Sequence, residues 1–388
     1  MTLKYPYVKS TFTQHELGLV TELMERDNMT LGFSHSALCT EEIARRLDVP
    51  QPPQRVFLTP SCTSALEVAA LLSGVGPGDE VILPSYTFSS TATAFALRGA
   101  TLVFVDSEPG SFNIDPEAVR AAVTPATRVV IAMHYCGVSC DMDRLSAIAR
   151  DCGAMLIEDA AQAYGATAQG QAVGTRGDVA TFSFHHTKNL SCGEGGALVV
   201  NNPDLCDRAA ILLEKGTNRS QFFQGLVDKY SWVDLGTSGV ISEIAAAVLL
   251  GQLRRADEIN GARIAGWNAY HAAFAPLEQA GLIAARPHVP EGCVHNGHIY
   301  FIILPDPALR PGVIAELSRR GISAPFHYVP LHDTVAGRRF GRVSGQMVEA
   351  HRAGSCLLRL PLWPGVAEHV PEIVAEVEAA IETSEVVA

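Results

Sequence analysis

Charge is scarce in this 388-residue chain, at 18% Asp, Glu, Lys and Arg, and positive charge is scarcer than negative, with 29 Lys and Arg against 41 Asp and Glu. The formal net charge of -12 excludes a general nucleic-acid binder but not a local basic pocket for a small anion. No long apolar run is present either. The longest uncharged stretch, Val81 to Leu97, contains Pro84 and many Ser and Thr residues, so it does not read as a membrane span. The N-terminal MTLKYPYVKSTFTQHE lacks the apolar centre of a secretory signal. A disulfide framework is missing as well: the nine cysteines are odd in number and unpaired in spacing, in a chain far longer than a stapled module. Reduced thiols in a cytoplasm are the simpler expectation. Repeats and low-complexity tracts are absent.

What is present is apolar substance, 47% of residues, enough for a large domain and a smaller one. From residue 55 onward, strand-like runs (RVFLTP, DEVILPSY, TLVFVD, TRVVIAMHY, AMLIED) alternate with helical patterns (SALEVAALLSG, SSTATAFALRGA, DPEAVRAAV, DMDRLSAIARDCG). VATFSF and GALVVN read as a final pair of strands. Such alternation predicts an α/β fold with a mainly parallel sheet covered on both faces. In such sheets ligands gather beyond the carboxyl ends of the strands. Polar signatures sit at four strand exits: Thr59 to Ser64, Pro84 to Ser89, His134 to Tyr135, and Glu158 to Gln162. Lys215 to Ser242 reads as one long loop, and its Phe222, Phe223, Tyr230 and Trp232 argue against disorder. A helix is expected from about Ile241 to Ile259, continuing into NAYHAAFAPLEQAG. The strand HIYFIILP, the helix GVIAELSRRG and a helix near 371–384 then make a smaller α+β domain. The expected division is 1–255 and 256–388.

One lysine, Lys188, stands in DVATFSFHHTKNLSCGEGGALVVNN between an apolar run and a glycine-rich turn. Locally this fits a histidine–metal site, a phosphate loop or a Schiff-base lysine. Asp159 ends the apolar strand of MLIEDAAQAYG, where a carboxylate is costly to bury unless something positive meets it; a helix cap or surface acid is the plainer alternative. An Asp for a pyridine nitrogen and a lysine for an aldehyde are what pyridoxal phosphate chemistry requires. In TPSCTSALEVAALL, Cys62, Thr63 and Ser64 fall at a strand-to-helix turn, where free amides and hydroxyls suit a phosphate. Ser183 offers another hydroxyl. Phe88 is placed either to stack on a flat ring or to fill the core.

Taken together, PSYTFSSTATAFALRGA, IEDAAQAYGA, FSFHHTKNLSCGEGGALVVN and EKGTNRSQFF…DKYSWVDLGTS resemble the sugar-nucleotide aminotransferases among the fold-type I pyridoxal phosphate enzymes. The resemblance runs in order from about residue 30 to FHYVPLH and LLRLPLWPG, and its long loop is most similar to the branch that aminates dTDP-4-keto-6-deoxyglucose at C4. It implies a large cofactor-binding domain and a small C-terminal domain, with pyridoxal 5'-phosphate cycling through pyridoxamine 5'-phosphate. It implies that Lys188 forms the Schiff base and shuttles the proton, that Asp159 holds the pyridine nitrogen, and that Gln162 contacts the ring hydroxyl. Thr63, Ser64 and Ser183 would bind phosphate, with Phe88 on the ring face. His185 would lie beside the cofactor, and His327 and Tyr328 near the sugar. Where the family carries Asn, reaching the phosphate of the partner subunit, this chain has Ser238, whose reach is shorter. Lys215 and Arg219 are candidates for a substrate diphosphate, or plain surface charges.

The resemblance further implies a cytoplasmic homodimer taking a dTDP-ketosugar and L-glutamate. Amination of another ketosugar or at C3, and a non-catalytic regulatory protein retaining the fold, are the alternatives. A dehydratase of this fold, with histidine for the lysine, conflicts with Lys188. No metal is expected: the side chains of His185 and His186 should diverge, and no carboxylate lies at a fitting spacing. Cys136 and Cys140, near His134, read as core or loop thiols.

Overall fold

Short aliphatic and β-branched runs, bounded by Gly, Pro and Asp, form eight strands of one sheet: β1 (Val56–Thr59), β2 (Glu80–Pro84), β3 (Thr101–Val105), β4 (Thr127–Met133), β5 (Met155–Asp159), β6 (Val179–Ser183), β7 (Gly196–Val200) and β8 (Gly341–Val343). The computed structural model describes residues 3–25, 35–50 and 54–385, so the start of the family resemblance, near residue 30, lies outside the described residues. The strand order is β1-β7-β6-β5-β4-β2-β3-β8. Strands β2 to β6 and β8 are mutually parallel, while β7 runs antiparallel to both β6 and β1. β6 and β7 are buried along their whole length, as expected when helices cover both faces. The α/β class and the mainly parallel sheet expected from the sequence are therefore present.

The helices between strands begin and end on local signals. Ser61 caps Cys62–Ser73 by accepting from the Ser64 amide, and Gly74 closes it with φ of 71°. Asp141 caps Met142–Cys152 in the same way. Two expected helices differ in extent. The one over 89–100 stops at Ala96, because Arg98 and Gly99 bond to carbonyls three residues back and Gly99 turns at φ of 83°. The one over Ile241 to Ile259 is two helices, Glu243–Arg254 and Ala256–Ala273, broken at Arg255.

The C-terminal unit packs the antiparallel pair Tyr300–Ile303 and Leu357–Leu360 against the helices Leu309–Arg319 and Val370–Glu385. Several contacts tie it to the rest of the chain, with Phe301, Ile303 and Leu357 of its own strands packing into the large core. β8 adds to the edge beside β3, with Leu331, Met347 and Ala350 entering the large core. Tyr5 exchanges backbone hydrogen bonds with Gly321 and Ser323 near the other end. Among the described residues, no helix is long and apolar enough to cross a membrane. All nine cysteines are free thiols.

Glu158, the residue before Asp159, is fully buried yet well met. Its carboxylate accepts from the amides of Gly174, Arg176 and Gly177 at 2.9, 2.7 and 2.6 Å, and faces His134 Nε2 at 2.9 Å. His134 Nδ1 accepts from the Cys140 amide, so Nε2 carries the hydrogen that Glu158 receives. Burial alone would raise the Glu158 carboxyl, but His134 and the amides outweigh it and hold it below the usual 4.5. A depressed carboxyl stabilises the fold above its unfolded pKa and loses that contribution as pH falls through the folded value. Glu158→Gln, which strips the charge from three amide donors, is expected to cost about 3 kcal/mol of unfolding free energy at pH 7. Urea titration at pH 7 and pH 4 checks this: the gap between wild type and variant narrows at the lower pH.

Candidate active site

The strand exits that look separate in the sequence converge on one cavity of about 460 Å³. Lys188, Asp159, Gln162, Thr63, Phe88, Ser183, His185, His327 and Tyr328 all line it.

Lys188 sits in the turn of a hairpin joining β6 to β7. Phe184 and His186 donate to the carbonyls of Gly195 and Gly193, each at 2.8 Å, which continues the ladder outward beyond the strand ends. Gly196 permits this approach, since a Cβ there would meet the Ser61 and Cys62 backbone at 2.5 Å. Burial pushes the Lys188 ammonium below its ordinary 10.5, with the Cys62 thiol and the Asp159 carboxylate opposing and Arg359 adding to the depression. The result is an amine disposed to be neutral and nucleophilic.

Asp159 is 3% exposed at the end of β5. Its oxygens accept from Thr91 Oγ1 at 2.7 Å and from the Ala161 amide at 3.1 Å, both neutral donors. Among the described residues no salt bridge reaches it, and it faces the cavity that Lys188 shares. Gln162 is held at both ends: Oε1 accepts from the Cys136 amide at 2.7 Å and Nε2 donates to Tyr328 Oη at 2.8 Å. Cys136 itself adopts φ of 59° to present that amide.

The hydroxyl cluster is partly as the sequence suggests. Thr63 Oγ1 pairs with Ser90 Oγ at 2.8 Å beside the N-terminus of Cys62–Ser73. Ser64, by contrast, is turned toward Ser61 (3.1 Å) and is not among the lining residues, whereas Ser61 is. Phe88 is 57% exposed, which removes the core-filling alternative, and its ring lies 6.2 Å from that of Tyr328. Tyr328 stacks on His327 at 3.6 Å, and His327 Nδ1 meets Tyr135 Oη at 2.7 Å. Burial, with Arg359 and Lys188 nearby, drives the His327 imidazole well below its usual value.

The two adjacent histidines do not diverge as expected. Their ring centres lie 3.9 Å apart, and Glu194 comes within 3.4 Å of His185 Nε2. That carboxylate is nine residues along, brought back by the hairpin. Lys215, Arg219 and Ser238 do not line this chain's cavity. The first two approach the Glu214 carboxylate at 3.7 and 3.5 Å, and Ser238 forms a β-bridge with Glu214. Their loop is well built, with Lys215 donating to Thr237 and Val233 to Gly216, but Phe223, Tyr230 and Trp232 are exposed on it.

Several lining groups escape sequence reasoning, among them Thr91, His298 and Arg359. Thr91 lies one helical turn after Phe88. His298 is buried, with Nδ1 on Asn189 Oδ1 at 3.0 Å. Arg359 is the most consequential: its Nη1 donates to Tyr7 Oη at 2.9 Å, and Nε and Nη2 donate to the Phe326 carbonyl at 3.2 and 2.9 Å. The only available signal is an arginine inside the apolar strand LLRL.

A half-buried amine, a buried carboxylate and a hydroxyl-rich helix N-terminus in one cavity of an eight-stranded α/β sheet define the site of a pyridoxal phosphate enzyme of fold type I. Comparison with known proteins narrows this. Residues 13–378 match the DegT/DnrJ/EryC1/StrS aminotransferase family, and the chain belongs to that family. A pleiotropic regulatory protein of Geobacillus stearothermophilus is 36% identical over 318 residues, covering 81% of each chain. GDP-perosamine synthase of Caulobacter vibrioides is 36% identical over 274 residues, covering 70% of this chain and 71% of its own. The putative sugar aminotransferase Spr1654 of Streptococcus pneumoniae, solved in PLP and PMP forms, is 25% identical, covers 98% of this chain and 99% of its own, and superposes with TM-scores of 0.87 and 0.88. The protein is thus an aminotransferase that uses pyridoxal phosphate and its pyridoxamine form.

Proposed function

We propose that the protein transfers the amino group of L-glutamate to the keto carbon of a nucleotide-linked sugar, acting as a cytoplasmic homodimer. The first substrate to test is dTDP-4-keto-6-deoxyglucose, aminated at C4. The observation that carries this reading is the pairing of Lys188 with Asp159 in one cavity, set in a chain of this family with the long 215–242 loop.

Bound pyridoxal phosphate supplies an electron sink that lets a proton leave the amino-acid carbon. Asp159 would hold the positive charge of the ring nitrogen. The Thr63, Ser183 and Ser61 hydroxyls and the helix N-terminus would hold the phosphate, with Phe88 and Gln162 fixing the ring. Lys188 Nζ, favoured in its neutral form by burial, takes a proton from the donor carbon and delivers it to the cofactor side. Running the same transfer in reverse aminates the ketosugar, giving ping-pong kinetics. The domain division at 255/256 and the loop's Lys215, Arg219 and Ser238 belong to the same reading. Exposed Tyr230 and Trp232 are suited to burial against a second copy, which would bring those polar groups toward the partner's cavity.

Arg359 gives the donor a place. Three of its five N–H groups serve Tyr7 and Phe326, and two remain for a carboxylate. Arg359→Ala is expected to raise the KM for glutamate roughly ten- to hundredfold while changing the ketosugar KM little. Steady-state kinetics with each substrate varied in turn checks this.

A second reading takes the sugar on GDP, favoured by the likeness to GDP-perosamine synthase. Incubation with glutamate and a panel of dTDP-, GDP- and UDP-ketosugars, read by mass spectrometry and NMR, decides. Amination of a 3-keto isomer in place of the 4-keto sugar would overturn the regiochemistry. Absence of any glutamate half-reaction would overturn the enzyme assignment in favour of a regulatory role.

A further inference from the structure

The FHYVPLH segment contributes His327 and Tyr328 to the cavity and then continues to His332, which the active site does not use. His332 and Asp333 form a single turn over Leu331–Asp333, and His351 faces them from the helix Val348–Cys356. His332 Nε2 lies 3.0 Å from His351 Nε2, His351 Nε2 lies 3.1 Å from Asp333 Oδ2, and His332 Nε2 lies 3.6 Å from Asp333 Oδ1. Two imidazole nitrogens and a carboxylate thus point at a common centre.

We propose that His332, Asp333 and His351 form a divalent-cation site, suited best to Zn²⁺ and separate from the catalytic cavity. Ligands about 2.0–2.1 Å from a tetrahedral zinc stand roughly 3.3–3.4 Å from one another, and the separations of 3.0, 3.1 and 3.6 Å, the last two to different oxygens of Asp333, come within a few tenths of an ångström of that value. Mixed imidazole and carboxylate donors match zinc in ligand type and leave a fourth position for water. The proton inventory agrees. His332 Nδ1 meets Ser85 Oγ at 2.5 Å; with Nδ1–H donating there, Nε2 is left as a lone pair. The Nε2–H of His351 is then shared between that lone pair and Asp333. A cation replaces this hydrogen, which moves to His351 Nδ1, and gathers all three ligands at once.

The surroundings support the charge. Asp106 lies close enough to act on His332 and caps the helix bearing His351, accepting from the Glu349 and Ala350 amides at 3.0 and 2.8 Å. Arg338 opposes it, but its Nη2 donates to the Asp333 carbonyl and so leaves the carboxylate free of that arginine. Ser85 is fully buried at the exit of β2 and directly precedes Tyr86, so it fixes the His332 ring as a supporting partner fixes a metal-binding histidine. The bound ion would clip together the end of β2, the 327–333 segment and the helix 348–356, on the same segment as the cavity-lining Tyr328, against which Tyr86 packs.

The test uses holoenzyme stripped of metal by chelator dialysis, titrated with Zn²⁺ against a chromogenic chelator. One Zn²⁺ per chain is expected from this site. His351→Ala and Asp333→Asn, both on half-exposed side chains, should weaken it by at least about a hundredfold, and Ser85→Ala by about 10–100-fold. His186→Ala, which dismantles the histidine pair at the cavity mouth, should leave this affinity unchanged. Zn²⁺ should raise the thermal midpoint of wild type but not of His351→Ala. The proposal is overturned if no Zn²⁺ binds at micromolar concentration, if His351→Ala binds as wild type does, or if His186→Ala abolishes binding.

Discussion

Lys188→Ala is expected to fold, to bind phosphate-bearing cofactor weakly, and to lose turnover by a factor on the order of 10⁴, the scale of a lost proton-transfer group. Wild type should show an absorbance band near the visible edge that borohydride fixes onto Lys188, with the mass of the reduced cofactor found on its peptide. The variant should show neither the fixed band nor the added mass. Turnover that survives in Lys188→Ala, or an adduct on a different lysine, would sink the assignment. The prediction is sharp because, among the described residues, Lys188 is the only lysine lining this chain's cavity.

Asp159→Asn should separate two quantities that usually move together. The variant keeps the shape and removes the charge, so turnover is expected to fall about 10²–10³-fold, as when one preorganised electrostatic partner is deleted. Stability of the cofactor-free protein should change little, because the amide keeps the shape and can still meet Thr91 and the Ala161 amide. Thermal melts of apo wild type and apo Asp159→Asn, beside kinetics of the loaded forms, check both arms. A variant that is less stable when empty would mean that the carboxylate is structural. A variant that keeps full turnover would remove it from the chemistry.

The alternation of strands and helices was legible because each strand is a short apolar run set between helical patterns or turn signals, and β1 to β7 appear where that pattern places them. β8 was not, since Gly341–Val343 is three residues long and gains strand character only from the β3 edge. Lys188 and Asp159 stood out for a physical reason: a charge placed at the end of an apolar run demands a partner. Arg359 carries the same signal, yet LLRL lies some 170 residues beyond Lys188, and nothing local says that its strand closes over the cavity. Ser64 misled in the opposite direction. Hydroxyls at a helix start serve the cap or the ligand, and only the geometry at Ser61 divides the two tasks. For the histidine pair, the return of Glu194 depends on the hairpin, which adjacent spacing does not reveal.

The reversed strand β7 has a mechanical meaning. In an all-parallel sheet, the segment after β6 would leave across a face and return by a helix at the far end. Reversal makes it a hairpin instead, rooted on both sides in adjacent strands of the sheet. Lys188 is therefore mounted on a short, doubly anchored post. When substrate takes its place in the chemistry, its backbone has nowhere to travel, and the four methylenes of its own side chain must supply the whole swing. Lengthening the hairpin by even one residue would lift the amine off its target. The 215–242 loop, anchored differently and away from this chain's amine, can change length without disturbing it. The reaction centre is in this way held at a fixed radius from the sheet.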